Sequence, residues 1–82
     1  MSKSYTVQVA AYSTRAAAER LVERLTKRGF SARVVSAGAA PYRVRIGAYA
    51  TEKEAAKAAR QLQAKGISGF VASEMVPDGG RR

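Results

Sequence analysis

Set against itself with an offset of 37 residues, this sequence repeats without a gap. The segment YTVQVAAYSTRAAAERLVERLTKRGFSARVV from Tyr5 to Val35 lies on YRVRIGAYATEKEAAKAARQLQAKGISGFVA from Tyr42 to Ala72. Tyr5/Tyr42, Val7/Val44, Ala11/Ala48, Tyr12/Tyr49, Thr14/Thr51, Ala18/Ala55, Leu25/Leu62, Gly29/Gly66, Ser31/Ser68 and Val34/Val71 are identical. A repeat of this length is one supersecondary unit used twice. Whatever the first copy folds into, the second must match, and the two must cover each other.

Each copy reads as strand, helix, strand. In Tyr5 to Ala11 the residues alternate, Tyr5, Val7 and Val9 to one side, Thr6 and Gln8 to the other, the period of a half-buried strand. Thr14 stands where an N-cap belongs. After it Ala18, Leu21, Val22 and Leu25 recur at i, i+3, i+4 and i+7, one apolar helix face, and Gly29 is placed as the residue that ends the helix, with Phe30 folding back on the last turn. Ser31 to Val35 is a second strand, and SAGAAP over 36–41 is a loop. The second copy follows the same plan: a strand over Tyr42 to Ala48, a capping box of Thr51 with Glu54, an apolar stripe of Ala55, Ala58, Ala59 and Leu62, a stop at Gly66, and a strand over Ser68 to Ser73. Residues 5–73 are expected to form a single domain, with repeat halves 5–35 and 42–72, and 74–82 a flexible tail.

The expected fold is α+β, ferredoxin-like, in the order β-α-β-β-α-β. Right-handed crossovers place the first and third strands side by side, antiparallel, in the centre of a four-stranded sheet. Each helix has one apolar stripe and each strand one apolar side, so both helices cover the same face. The other face of the sheet stays open.

Composition narrows the chemistry. In 82 residues there are 15 Lys and Arg against 6 Asp and Glu, a formal net charge of +9, which favours an anionic partner. Cys and His are absent and five Glu are scattered, so the sequence assembles no metal cluster and no acid/base pair; no catalysis, no metal and no cofactor are expected. No apolar run approaches the roughly 20 residues that a membrane span requires, and MSKSY has no signal-peptide core. No membrane contact is expected of this module, and it is expected to be a monomer.

By the alternation, the open face carries Thr6, Gln8 and Ala10 from the first strand and Arg43, Arg45 and Gly47 from the third. Arg33 and Val35 come from the second strand, Phe70 and Ala72 from the fourth. A lone Arg on an exposed sheet face is ordinarily solvated surface. Three Arg beside a Gln and a Phe form instead a shallow trough of guanidinium and amide donors over an apolar floor, suited to carboxylates and hydroxyls. In the helices, Arg15/Glu19 and Glu23/Lys27 at i, i+4 read as solvated pairs.

The order of these motifs resembles the SPOR domain (sporulation-related repeat). The resemblance rests on Tyr5-Thr-Val-Gln8 followed by Ala-Ala-Tyr-Ser, on a helix ending at Gly29, and on Tyr42-Arg-Val-Arg-Ile-Gly47-Ala-Tyr with a second helix ending at Gly66. It extends from Tyr5 to about Ser73. It implies a peptidoglycan-binding module that prefers glycan strands stripped of their stem peptides, as at division septa, and a location in the periplasm or cell wall. It also implies binding on the open sheet face, with the family's first-strand Gln at Gln8 and the Arg of its Tyr-Arg-Val strand at Arg43. Ala10-Ala11-Tyr12 stands where the family usually has Gly-Ser-Phe or Gly-Ala-Phe, so Ser13 is the nearest hydroxyl. The candidate ligand-binding residues are Gln8, Ser13, Arg33, Arg43, Arg45 and Phe70.

The rival is a single-stranded nucleic-acid module of RRM shape, which shares the element order and the basic charge. Arg28-Gly29-Phe30 begins like the RNP1 motif, but it straddles the end of the first helix, and the third strand offers Arg43 and Arg45 outward with no aromatic. A scaffold that binds a protein through its sheet face or an edge strand is a third reading.

Overall fold

The computed structural model describes residues 2–36 and 41–76. The elements are β1 (Ser2–Tyr12), α1 (Arg15–Lys27), β2 (Ala32–Val35), β3 (Tyr42–Tyr49), α2 (Glu52–Ala64) and β4 (Phe70–Val76). They form one antiparallel sheet in the order β2-β3-β1-β4, with the strands that begin the two repeats paired in the centre. This is the ferredoxin-like architecture that the repeat requires. The tail expected from residue 74 needs correction at its start: β4 continues through Val76, because Ser4, Lys3 and Ser2 of β1 supply partners for Glu74, Met75 and Val76. Most of the expected loop and residues 77–82 lie outside the described residues.

Both helices start and stop by the same local chemistry. Thr14 Oγ1 accepts a hydrogen bond from the Ala17 amide at 3.3 Å, and Thr51 Oγ1 from the Glu54 amide at 3.2 Å, each satisfying one of the amides that a helix start leaves without a partner. At the other ends Gly29 (φ +92°) and Gly66 (φ +85°) take the left-handed conformation. The Phe30 and Ile67 amides then reach back to the carbonyls of Leu25 and Leu62. Phe30 and Ile67 thereby turn onto the core.

That core is symmetric. Val7 and Val44, Ala18 and Ala55, and Leu25 and Leu62 are all buried, each pair being repeat partners, with Ile46 and Ile67 beside them. Each buried Val, Leu or Ile stabilises the fold by about 1.5–3 kcal/mol relative to exposure.

The helices are not packed along one another. They approach at their C-terminal ends, where Arg28 Nη2 donates to the Lys65 carbonyl at 3.0 Å. Arg28 and Lys65 lie over Phe30 at 5.6 and 5.4 Å from the ring centroid. Two helix C-termini bring partial negative charge to this point, and Arg24, Lys27, Arg28 and Lys65 oppose it. Much of the basic charge on this side therefore has a structural account. Beside the contact lie two cavities at repeat-related places, about 400 Å³ under Leu21 and Arg24 and about 150 Å³ under Ala58 and Gln61.

The pairing of β1 with β3 shifts register twice. Between Tyr5/Tyr49 and Val7/Ile46, β3 holds an extra residue; between Gln8/Arg45 and Ala10/Val44, β1 does. Gly47 absorbs the first bulge at φ +76°, with the Tyr49 ring where a side chain would stand: a Cβ there would meet Tyr49 Oη at 2.5 Å. The second bulge turns Ala10 to the helix side, opposite Val44, and brings Ala11 to the open side, opposite Arg43. Ala10 is therefore not on the open face as the alternation predicts. A strict period of two fails wherever an extra residue enters the ladder.

Candidate ligand-binding face

The open face is built in cross-strand rows. Gln8 of β1 lies opposite Arg45 on β3 and Phe70 on β4, and Arg45 lies opposite Arg33 on β2. One row thus brings four of the six sequence candidates together: Arg33, Arg45, Gln8 and Phe70. Arg43 occupies the next row, between Ala11 and Val35. Ser13 is exposed in the bend beyond the end of β1, outside the paired sheet.

A carboxylate organises the row. Glu74 Oε1 accepts from Arg33 Nη2 at 2.6 Å and Oε2 from Arg45 Nη1 at 2.8 Å. Like charges directly opposite one another destabilise a sheet, so Arg33 and Arg45 would repel without this bridge. The Arg45 and Glu74 side chains are 9% and 13% exposed, while that of Arg33 is 39% exposed. The two arginines are thus less available than a free trough of donors would make them. The arginine charges are legible in the sequence; the carboxylate is not, because the expected tail begins at Glu74. Extending the alternation Phe70, Ala72, Glu74 by one step would have put it on this face.

Arg45 also fixes Gln8. Its Nε donates to Gln8 Oε1 at 3.1 Å. A guanidinium has only donors, so Gln8 must turn its carbonyl toward Arg45 and its NH₂ group away. Gln8 then presents two N–H donors.

Thr6 lies on this side of the sheet but is completely buried. Its hydroxyl is 2.7 Å from the Gly47 carbonyl and 3.1 Å from that of Ile46. The Gly47 carbonyl also accepts from Arg33 Nη1 at 2.9 Å. The β3 bulge is thereby tied into the open-face network, and Thr6 belongs to the scaffold, not to the exposed trough.

Two features remain open to a ligand. Phe70, 59% exposed, is the one large hydrophobic side chain exposed among the described residues. It borders a groove of about 330 Å³ at the sheet edge, lined by residues 8–11 of β1 with Ser68 and Gly69, along the stretch of β1 that continues past the start of β4. Arg43 takes part in none of the ion pairs among the described residues, which are Arg15–Glu19, Arg33–Glu74 and Arg45–Glu74. The face therefore combines an apolar ring, amide donors and a cation not engaged in those pairs.

The comparisons with known proteins agree with this architecture. No sequence among the curated proteins matches the chain. The solution structure of the peptidoglycan binding domain of the Bacillus subtilis cell wall lytic enzyme CwlC is similar, with a TM-score of 0.74 and 28% identity, over 92% of this chain and 94% of that one. A Burkholderia pseudomallei protein assigned as exported, known from its crystal structure, is similar with a TM-score of 0.70 and 28% identity; the match covers 87% of this chain and 16% of that one. The SPOR domain family model matches residues 2–73, nearly the whole sequence. This chain belongs to the SPOR domain family.

Proposed function

We propose that this domain is a non-catalytic module that binds peptidoglycan through the open face of its sheet, and that it recognises glycan strands denuded of stem peptides. The observation that carries the reading is the similarity, over nearly the full length of both chains, to a peptidoglycan binding domain. The composition of the open face supports it. Phe70 offers a ring for the apolar side of a sugar, and the NH₂ group of Gln8 donates to hydroxyl or acetamido oxygens. The reading places the domain in the cell envelope, with septa as its target.

Charge suggests how denuded strands are preferred. In an intact strand the lactyl group is held in an amide with the stem peptide and is neutral. Removing the peptide frees a carboxylate. Arg43, outside the ion pairs of this face, is the guanidinium positioned to take it, in a charge-assisted hydrogen bond. Arg33 and Arg45, already joined to Glu74, support the face and orient Gln8.

The test is co-sedimentation with sacculi before and after an amidase has removed the stem peptides. Stronger pelleting after amidase is expected, and equal or absent pelleting in both cases would overturn the reading. Gln8→Glu keeps the acceptor for Arg45 and loses the donors, so it should weaken both kinds of pelleting. Arg43→Gln should instead reduce the advantage of denuded over intact sacculi. The nucleic-acid reading has less support, since stacking platforms need aromatics along the sheet and Phe70 is the one exposed here.

A further inference from the structure

We propose that Glu74 sets the charge selectivity of the open face: it clamps Arg33 and Arg45, so that the face accepts a ligand with isolated carboxylates and turns away closely spaced polyanions. The proposal rests on the reading of this face as the glycan surface.

The geometry carries the idea. Arg43 and Arg45 alternate on β3 and stand about 7 Å apart along the strand, and Arg33 faces Arg45 from β2. Left free, the three would form a cationic stripe of the kind that tracks a phosphate backbone. With a net charge of +9, this small domain already attracts polyanions at long range. Glu74 is the one acidic residue on the open face among the described residues, since Glu19, Glu23, Glu52 and Glu54 belong to the helices. Each of its oxygens meets a different arginine. The remaining bonds of those arginines go to the Gly47 carbonyl and to Gln8. One negative charge is thereby set among three positive ones, both clamped guanidiniums have their donors engaged, and Arg43 is the guanidinium left outside the clamp. The same clamp turns the Gln8 donors outward, so Glu74 excludes one ligand class and prepares the face for another.

The experiment compares wild-type protein and Glu74→Gln for binding to fluorescein-labelled oligodeoxythymidylate across a salt series, with denuded sacculi as the second arm. Glutamine keeps the shape and one acceptor but removes the charge. The variant is expected to bind the oligonucleotide at least about tenfold more tightly at low salt. The slope of log K against log salt should become steeper by about 0.7–1.4, the change for one or two added phosphate contacts on a single strand. Sacculus pelleting should weaken for intact and denuded material alike as Gln8 loses its fixed orientation. Unchanged oligonucleotide affinity and slope in a folded variant would overturn the proposal, as would tight binding of the oligonucleotide by the wild-type protein.

A second variant guards against misfolding. Arg33→Gln with Glu74→Gln removes the opposed arginine pair and still frees Arg45, so it should show the smaller of the two slope changes. If neither variant folds, Glu74 serves stability alone and the proposal falls. Loss of sacculus binding by the wild-type protein, with the gain in oligonucleotide binding intact, would instead remove the glycan reading and leave the clamp standing.

Discussion

The two faces of the sheet treat the repeat differently. On the helix side the repeat partners Val7 and Val44, Ala18 and Ala55, and Leu25 and Leu62 are all buried, and both helices end in the same glycine turn. On the open side Thr6 corresponds to Arg43, Gln8 to Arg45 and Arg33 to Phe70. Even there the pseudo-two-fold relation is visible in the backbone, since Gln8 and Arg45, 37 residues apart, are cross-strand partners and hydrogen-bonded. Arg28 and Lys65, also 37 apart, mark the relation on the helix side. The lesson is physical. Packing two copies of one unit needs the same apolar shape twice, whereas a ligand without two-fold symmetry needs different groups at equivalent places.

The comparison can be broken most strongly in the core. Leu25→Ala and Leu62→Ala should each cost about 2–5 kcal/mol, and should agree with each other within that range. Urea denaturation of the two variants checks this; a large difference would mean that the repeat halves are not energetically equivalent. The two bulges offer the next test. Gly47→Ala forces a positive φ on a side chain that also meets Tyr49, and should cost about 1–3 kcal/mol. Ala10→Gly, at the repeat-related bulge with no positive φ, should cost about 0.5–1 kcal/mol, mainly through backbone entropy. Thermal melts that rank the two the other way would contradict the asymmetry of the bulges.

Smaller effects sharpen the open side. Thr6→Val removes the hydroxyl that serves the Gly47 carbonyl while Arg33 still reaches it, so a loss of about 1 kcal/mol is expected in the same urea measurement. Phe70→Ala should leave stability within about 0.5 kcal/mol, as an exposed position does. Its effect is expected in binding, about tenfold weaker pelleting with denuded sacculi, as for an aromatic anchor. A Phe70 variant that pellets normally would move the ligand toward Arg43 and Ser13.

Much of this molecule was legible in its residues. Thr14 and Thr51 as caps, Gly29 and Gly66 as helix stops, Tyr42 turned toward the helices and the central pairing of β1 with β3 all follow from local chemistry and periodicity. Ala10 did not follow, because a β-bulge is a mismatch between two strands and leaves no mark in the period of either. The alternation puts Thr6 on the open side of the sheet but does not show its burial, since its hydroxyl is taken up by the Ile46 and Gly47 carbonyls of β3, distant in the chain.

By itself, the order of residues determined the unit, its duplication, the burial of one face and the basic character of the other, because each depends on neighbours within one helix turn or one strand. Tertiary structure alone decided which of the basic groups remain available. Glu74 is separated from Arg45 by 29 residues and from Arg33 by 41. Pairing of β4 with β1, and of β2 with β3, brings them into contact. Charge is a property of composition; its neutralisation depends on distances of a few ångströms, and only the folded sheet sets those.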